Sequence, residues 1–251
     1  MMRQLLPIVI SLLFITSCAT SPSPQTNVDN TAQTTKKQTR YRVPYDNNEK
    51  QPQTELEAVK SPTRAKIQKL LRSIIGSKGS INVDGRTYVA DCSGMVKAIY
   101  DAVGIDVMAQ SRKFPQATGG VDIIYQSFEN QKWQDANKTP QAGDLIFFNN
   151  TWDQNKNKKW DDALTHVAIV EGVEVGSNTI SFIHSVHAGI RRYRLNLDYP
   201  KSYMHKKRKM NDFLRRRPKH DQDRTKYMSS NLFWCYIDVL VSHEEKMLSS
   251  Q

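Results

Sequence analysis

The sequence predicts one globular domain of mixed α+β class, and three stretches carry that prediction. An apolar-periodic run follows Asp91-Cys92-Ser93-Gly94, with Met95, Val96, Ile99 and Val103 recurring at helical spacing. Two alternating runs, Leu164 to Val170 and Ile180 to Val186, read as strands separated by the turn residues Gly172, Gly176, Ser177 and Asn178. Leu145-Ile146-Phe147-Phe148, entered through the turn Pro140-Gln141-Ala142-Gly143-Asp144, reads as a short buried strand beside them.

The helix opens on a cysteine. Asp91 is a good N-cap, because its carboxylate can accept from the unpaired N–H groups of a first turn. Those groups and the helix dipole favour negative charge, so thiolate is expected over thiol at Cys92. The tetrapeptide alone reads equally as a buried structural cysteine.

A cysteine nucleophile needs a base and a third group to orient that base. Of the six histidines, His205 and His220 sit in a basic block and His243 in a polar tail. His166, Ala168 and Val170 share one strand face, and Phe182, His184 and Val186 share another. A hairpin centred on Val175 puts His166 directly opposite His184, with Cβ atoms about 4.5–5.5 Å apart. A two-residue turn at Gly176-Ser177 would place His187 there instead. His184 and His187 differ in parity, so only one can be the partner.

The first 18 residues read as an export signal. Arg3 supplies the positive end, and Leu5 to Ile15 is apolar apart from Pro7 and Ser11, too short to span a bilayer comfortably. Residues 19–60 are rich in Thr, Ser, Gln, Asn and Pro and read as a disordered tether. Residues 61–245 remain as the domain, with a basic insertion near 201–220. The chain has 251 residues and a formal net charge of +11. Much of that excess sits in Lys206-Lys207-Arg208-Lys209 and Arg215-Arg216-Arg217. An exported chain meets little nucleic acid, so acidic polymers and phosphate-bearing lipids are the expected partners of this charge.

Ile15-Thr16-Ser17-Cys18 resembles a bacterial lipobox. That resemblance implies cleavage before Cys18 and its lipidation, with Ala19 favouring the outer membrane, facing the periplasm. The ordered set Asp91-Cys92-Ser93-Gly94, Ala142-Gly143-Asp144-Leu145-Ile146-Phe147-Phe148, Thr165-His166-Val167-Ala168-Ile169-Val170 and Phe182-Ile183-His184-Ser185 resembles the NlpC/p-sixty family of papain-like cell-wall cysteine peptidases. It covers roughly residues 61–200. The resemblance implies N-terminal helices packed on a central antiparallel sheet, with Cys92 as nucleophile, His166 as general base and His184 as orienter. It implies that Asp91 and Ser93 line the substrate site, and it leaves Tyr88, with Gly85, as the candidate for the recognition wall. The implied activity is cleavage of a peptidoglycan amide without a required cofactor, by a monomer. Two rivals are a non-hydrolytic wall-binding lipoprotein and a cysteine acyltransferase on the same fold.

Asp153, Asn155, Asn157 and Asp161 fall at positions 1, 3, 5 and 9 of a calcium-loop template. Lys158 stands where the template has Gly, and Leu164 where it has the bidentate acid, for which Asp162 could substitute in a shorter loop. A structural calcium is one reading of this loop and a solvated polar loop is the other. Cys235, in the apolar run Leu232 to Ile237, reads as a buried thiol not bonded to Cys92.

Overall fold

The computed structural model describes residues 55–59, 61–135 and 138–241. The expected export signal, Cys18 and most of the expected tether lie outside the described residues. The domain opens on helix α1 (Pro62–Ile74). Proline sits at its first position, where the missing N–H costs nothing, and the Ser61 hydroxyl accepts from Arg64 N. Arg64, Ile67, Leu71 and Ile74 form its buried stripe at helical spacing. Strands β1 (Ser80–Val83) and β2 (Arg86–Val89) then make a hairpin. Its two turn residues, Asp84 and Gly85, both have positive φ (48° and 76°), as a twist-compatible two-residue turn requires.

Helix α2 (Cys92–Asp101) follows directly, then α3 (Gly120–Phe128) and the two-residue strand β3 (Lys132–Trp133). The remaining strands are β4 (Leu145–Phe148), β5 (His166–Glu174), β6 (Thr179–Val186), β7 (Gly189–Leu195), β8 (Met204–His205) and β9 (Arg208–Lys209). A single helical turn α4 (Ser229–Leu232) leads into β10 (Phe233–Ile237). The main sheet is antiparallel, six-stranded, in the order β3-β10-β4-β5-β6-β7. The fold is the α+β, papain-like arrangement expected, with helices against a central antiparallel sheet. Among the described residues, no helix is long and apolar enough to cross a membrane.

Both faces of the sheet are covered. Val167, Ile169 and Ile183 join Ile67, Leu71, Met95, Val96 and Ile99 of the helices in one core. Ile146, Phe148, Ala168, Val170 and Phe182 form a second core on the other face. Arg64 is 2 % exposed and clamps α1 to the sheet end. Its guanidinium donates to Asp144 Oδ1 at 2.7 Å and to Asp238 Oδ1 at 2.8 Å.

The register of β5 and β6 corrects the sequence expectation. Near the turn, Glu174 pairs with Thr179 and Gly172 with Ser181, the register that would bring His187 to His166. A bulge at Glu171 then shifts the pairing by one, so that Val170 pairs with Phe182 and Ile169 with Ile183. His184 therefore lies diagonally from His166 on the same face, not directly opposite it. Tertiary contacts fix the bulge. The Glu171 carboxylate accepts from Arg72 Nε at 2.9 Å, Arg192 Nε at 2.5 Å and the Ser181 hydroxyl at 2.9 Å.

Two expected boundaries also move. Leu56 bridges Glu174, Glu57 N donates to Val173 O at 2.8 Å, and Val175 N donates to Glu55 O at 3.0 Å. The last residues assigned to the tether thus extend the sheet, because the far end of β5 outruns β4. The expected basic insertion is partly built into the fold. Lys206 and Lys207 form the positive-φ tip of the β8–β9 hairpin, but Met210, Asn211 and Asp212 are buried beside β7. Asp212 N donates to Arg194 O at 3.0 Å, and Arg194 N donates to Asp212 Oδ2 at 2.8 Å. At the opposite end of β7, Ile190 exchanges backbone hydrogen bonds with Gly76 and Ser77.

Candidate active site

Cys92 is the first residue of α2, and the cap expected from the sequence is present. Asp91 Oδ1 accepts from Gly94 N at 2.6 Å and from the Ser93 hydroxyl at 2.9 Å. Gly94 is required by close approach: a Cβ there would run into the Val89 carbonyl oxygen at the end of β2. Ser185 on β6 donates its hydroxyl to Ala90 O, which ties the strand carrying His184 to the residues entering the helix.

Cys92, Asp91, Ala90, His166, Ser185 and His187 share the lining of one open cleft of about 330 Å³. His166 is the first residue of β5, so its side chain stands at the strand end beside the α2 N-terminus. His166 Nε2 and His184 Nδ1 are 3.0 Å apart, with ring planes at 87°. His184 is fully buried, packed on Tyr193 at 4.3 Å and Phe182 at 5.4 Å between ring centroids. Its Nε2 has no hydrogen-bond partner. Aromatic packing therefore holds the ring on the far side, and His166 holds it on the near side.

The electrostatics reverse one expectation. The Cys92 thiol is pushed up from its ordinary value, chiefly by burial and next by the Asp91 carboxylate. The backbone N–H groups of Val167, Ser93 and Cys92 turn toward the sulfur and oppose that shift without overcoming it. The helix start thus does not make a resting thiolate here, because desolvation outweighs it. Burial lowers His166 to about 4 and, together with its His166 neighbour, takes His184 well below the ordinary range. Thiol and both imidazoles are neutral near pH 7.

Of the residues expected to meet substrate, Asp91 lines the cleft. Ser93 is turned into the helix cap. Tyr88 is a correction: it is not among the cleft-lining residues, because its hydroxyl donates to Asp101 at 3.0 Å at the far end of α2. Ser185 closes the last of the quoted motifs without an expected role, and Ala90 was not singled out, because their contact exists only once β6 meets the chain before α2. Cys235 is a buried free thiol on β10, and Cys92 is also free.

A cysteine at a helix start, facing histidines on an antiparallel sheet, defines the papain-like class of cysteine- and histidine-bearing domains. Residues 82–185 match the family model described as the CHAP domain, a papain-like amidase or peptidase domain, and that stretch contains Cys92, His166 and His184. No curated protein and no solved structure matches the chain.

Proposed function

We propose that the protein is a peptidoglycan hydrolase that cleaves an amide bond in cell-wall stem peptides with Cys92 as nucleophile. CHAP domains imply hydrolase chemistry of amidase or peptidase type on peptidoglycan. The observation that carries the specific reading is the shared cleft of Cys92 and His166 with His184 behind it. The motif order that resembles the NlpC/p-sixty peptidases leads to the same assignment.

His166 Nε2 is engaged with His184, which leaves Nδ1 as the nitrogen able to take the Cys92 proton. That requires His166 to carry its resting proton on Nε2 and His184 to accept it at Nδ1. Thiol and imidazole both rest neutral, so the proton passes from Cys92 Sγ to His166 Nδ1 to make the sulfur nucleophilic for the amide carbonyl. The sulfur bonds to the carbonyl carbon, and the Cys92 N–H stabilises the oxyanion. His166 returns the proton to the leaving amine, and water then hydrolyses the thioester.

We propose in addition that the chain is exported and lipid-anchored at Cys18 on the inner face of the outer membrane. The test of the catalytic reading is digestion of purified peptidoglycan, followed by amine release and mass spectrometry of the muropeptides. New amine from the protein and none from Cys92→Ala is the expected result. Wall binding without turnover, or transfer of the acyl group to an added amine or lipid in place of water, would replace this reading.

A further inference from the structure

The loop between β4 and β5 is not part of the cleft lining, yet two of its carboxylates each keep one buried oxygen without a hydrogen-bond partner. Asp162 is 6 % exposed. Its Oδ1 accepts from Asn155 N at 3.1 Å, so the carboxylate faces the loop, and its Oδ2 is buried with no hydrogen-bond partner. Asp153 Oδ2 accepts from Lys158 N at 3.0 Å, while Asp153 Oδ1 is likewise buried without a partner. A buried carboxylate oxygen lacking a donor is costly, and two of them in one ten-residue loop favour a cation as their ligand.

The surrounding geometry is that of a cation loop. The first-position acid, Asp153, binds the N–H of the sixth residue, Lys158, which adopts φ +63° where the calcium template uses glycine. Asn155 Oδ1 accepts from Asn157 N at 3.0 Å and Asn157 Oδ1 from Lys159 N at 2.7 Å, and each oxygen keeps a second lone pair. Asp161 accepts from the Asn155 and Asn157 side-chain amides at 3.1 Å. Among the described residues no group of three His, Cys, Asp or Glu side chains gathers to hold a metal, so the set depends on amide oxygens as well as carboxylates. A donor set made of oxygen alone suits a hard divalent cation and not zinc or copper.

We propose that residues 153–162 form a calcium-binding loop that closes two residues early, with Asp162 at position 10 supplying the acid that the longer template takes from position 12. Asp153 Oδ1 and Asp162 Oδ2 are the two oxygens that receive the ion. Lys156, Lys158 and Lys159 are exposed around it and weaken the attraction. The affinity therefore belongs with extracellular modules, about 10⁻⁴–10⁻³ M. The base of the loop is tied to the start of β5. Thr151 N donates to Thr165 Oγ1 at 2.9 Å, Leu164 N donates to Asn149 Oδ1 at 2.8 Å, and Asp162 N donates to Asn150 Oδ1 at 2.9 Å. Thr165 immediately precedes His166, so the ion braces the strand end that presents the imidazole.

Trp152 precedes the loop and Trp160 lies within it, both exposed, which makes them antennae for bound terbium. Titration of the purified protein with terbium, excited through tryptophan, should give saturable emission that millimolar calcium displaces and equal magnesium does not. Calcium at about 10 mM, against a chelator control, should raise the melting temperature by about 3–10 °C. Asp162→Asn should remove both effects while leaving the circular dichroism spectrum unchanged. Absence of saturable emission and of any melting shift in the unsubstituted protein would overturn the proposal. So would binding that survives both Asp162→Asn and Asp153→Asn. None of these readouts needs hydrolysis, so failure here is separable from failure of the proposed catalytic activity.

Discussion

His184 Nδ1 stands 3.0 Å from His166 Nε2 across a near-perpendicular pair of rings, and His184 touches no cleft surface. Its influence on any chemistry at Cys92 must therefore pass through the His166 ring. Replacing it removes orientation and tautomer control but not a substrate contact. His184→Ala should lower kcat by about 10²–10⁴-fold with KM little changed. His184→Asn, which can still accept from Nε2–H, should retain more activity than the alanine variant. Kinetics on soluble stem-peptide substrate would check this, and a matched rise in KM would point to a substrate-binding role instead.

Acid should destabilise the domain before it protonates most carboxylates. His166 titrates at about 4 in the folded chain against 6.5 when unfolded, and His184 is displaced in the same direction. Between those values the unfolded chain takes up protons that the native state refuses. The stabilisation is complete above pH 6.5 and is lost as pH falls toward 4, about 3 kcal/mol from His166 alone. Urea midpoints measured across that range should fall, and the fall should be smaller in His166→Gln. The acid limb of kcat/KM should lie near pH 4.

Asp91 both caps α2 and raises the Cys92 thiol. Asp91→Asn keeps an oxygen for Gly94 N and removes the charge. Alkylation of Cys92 by iodoacetamide at pH 8 should then be faster by about 2–10-fold, since one unit of pKa is a tenfold change in thiolate. An unchanged or slower rate would mean that the cap, rather than the charge, governs the thiol.

Arg64 is a buried cation held between two carboxylates. Burial pushes Asp144 up to about 6, with Asp238 adding to the shift and Arg64 opposing it. Arg64→Met would leave both carboxylates without that guanidinium, and breaking such a buried pair costs about 3–5 kcal/mol. Equilibrium urea unfolding reads this directly. Asp144→Asn in the same background should recover part of the loss.

Local chemistry made the helix start legible: the cap, the glycine and the apolar spacing all lie within a dozen residues of Cys92. Alternation likewise marked β5 and β6, with His166 and His184 each on a defined strand face, and an unbroken apolar run marked β4. The register was not legible, because the Glu171 bulge is held by Arg72, Arg192 and Ser181, which are remote in sequence or on other elements. Nor was the thiol's upward shift, since burial by the packed sheet is a tertiary quantity that a capping motif does not report. Tyr88 was misplaced for a similar reason: its hydroxyl finds Asp101 only once β2 lies along α2.

The covering of β7 has a consequence for how the molecule behaves among its own copies. An open sheet margin is a template for another chain's strand, and crowding multiplies such encounters. Here Gly76 and Ser77 occupy one end of that margin and Asp212 the other, with Arg191 and Arg192 on the strand between. A neighbouring copy would meet, at both ends of β7, backbone groups already spent on this chain's own partners, which disfavours fibrous association at high local density.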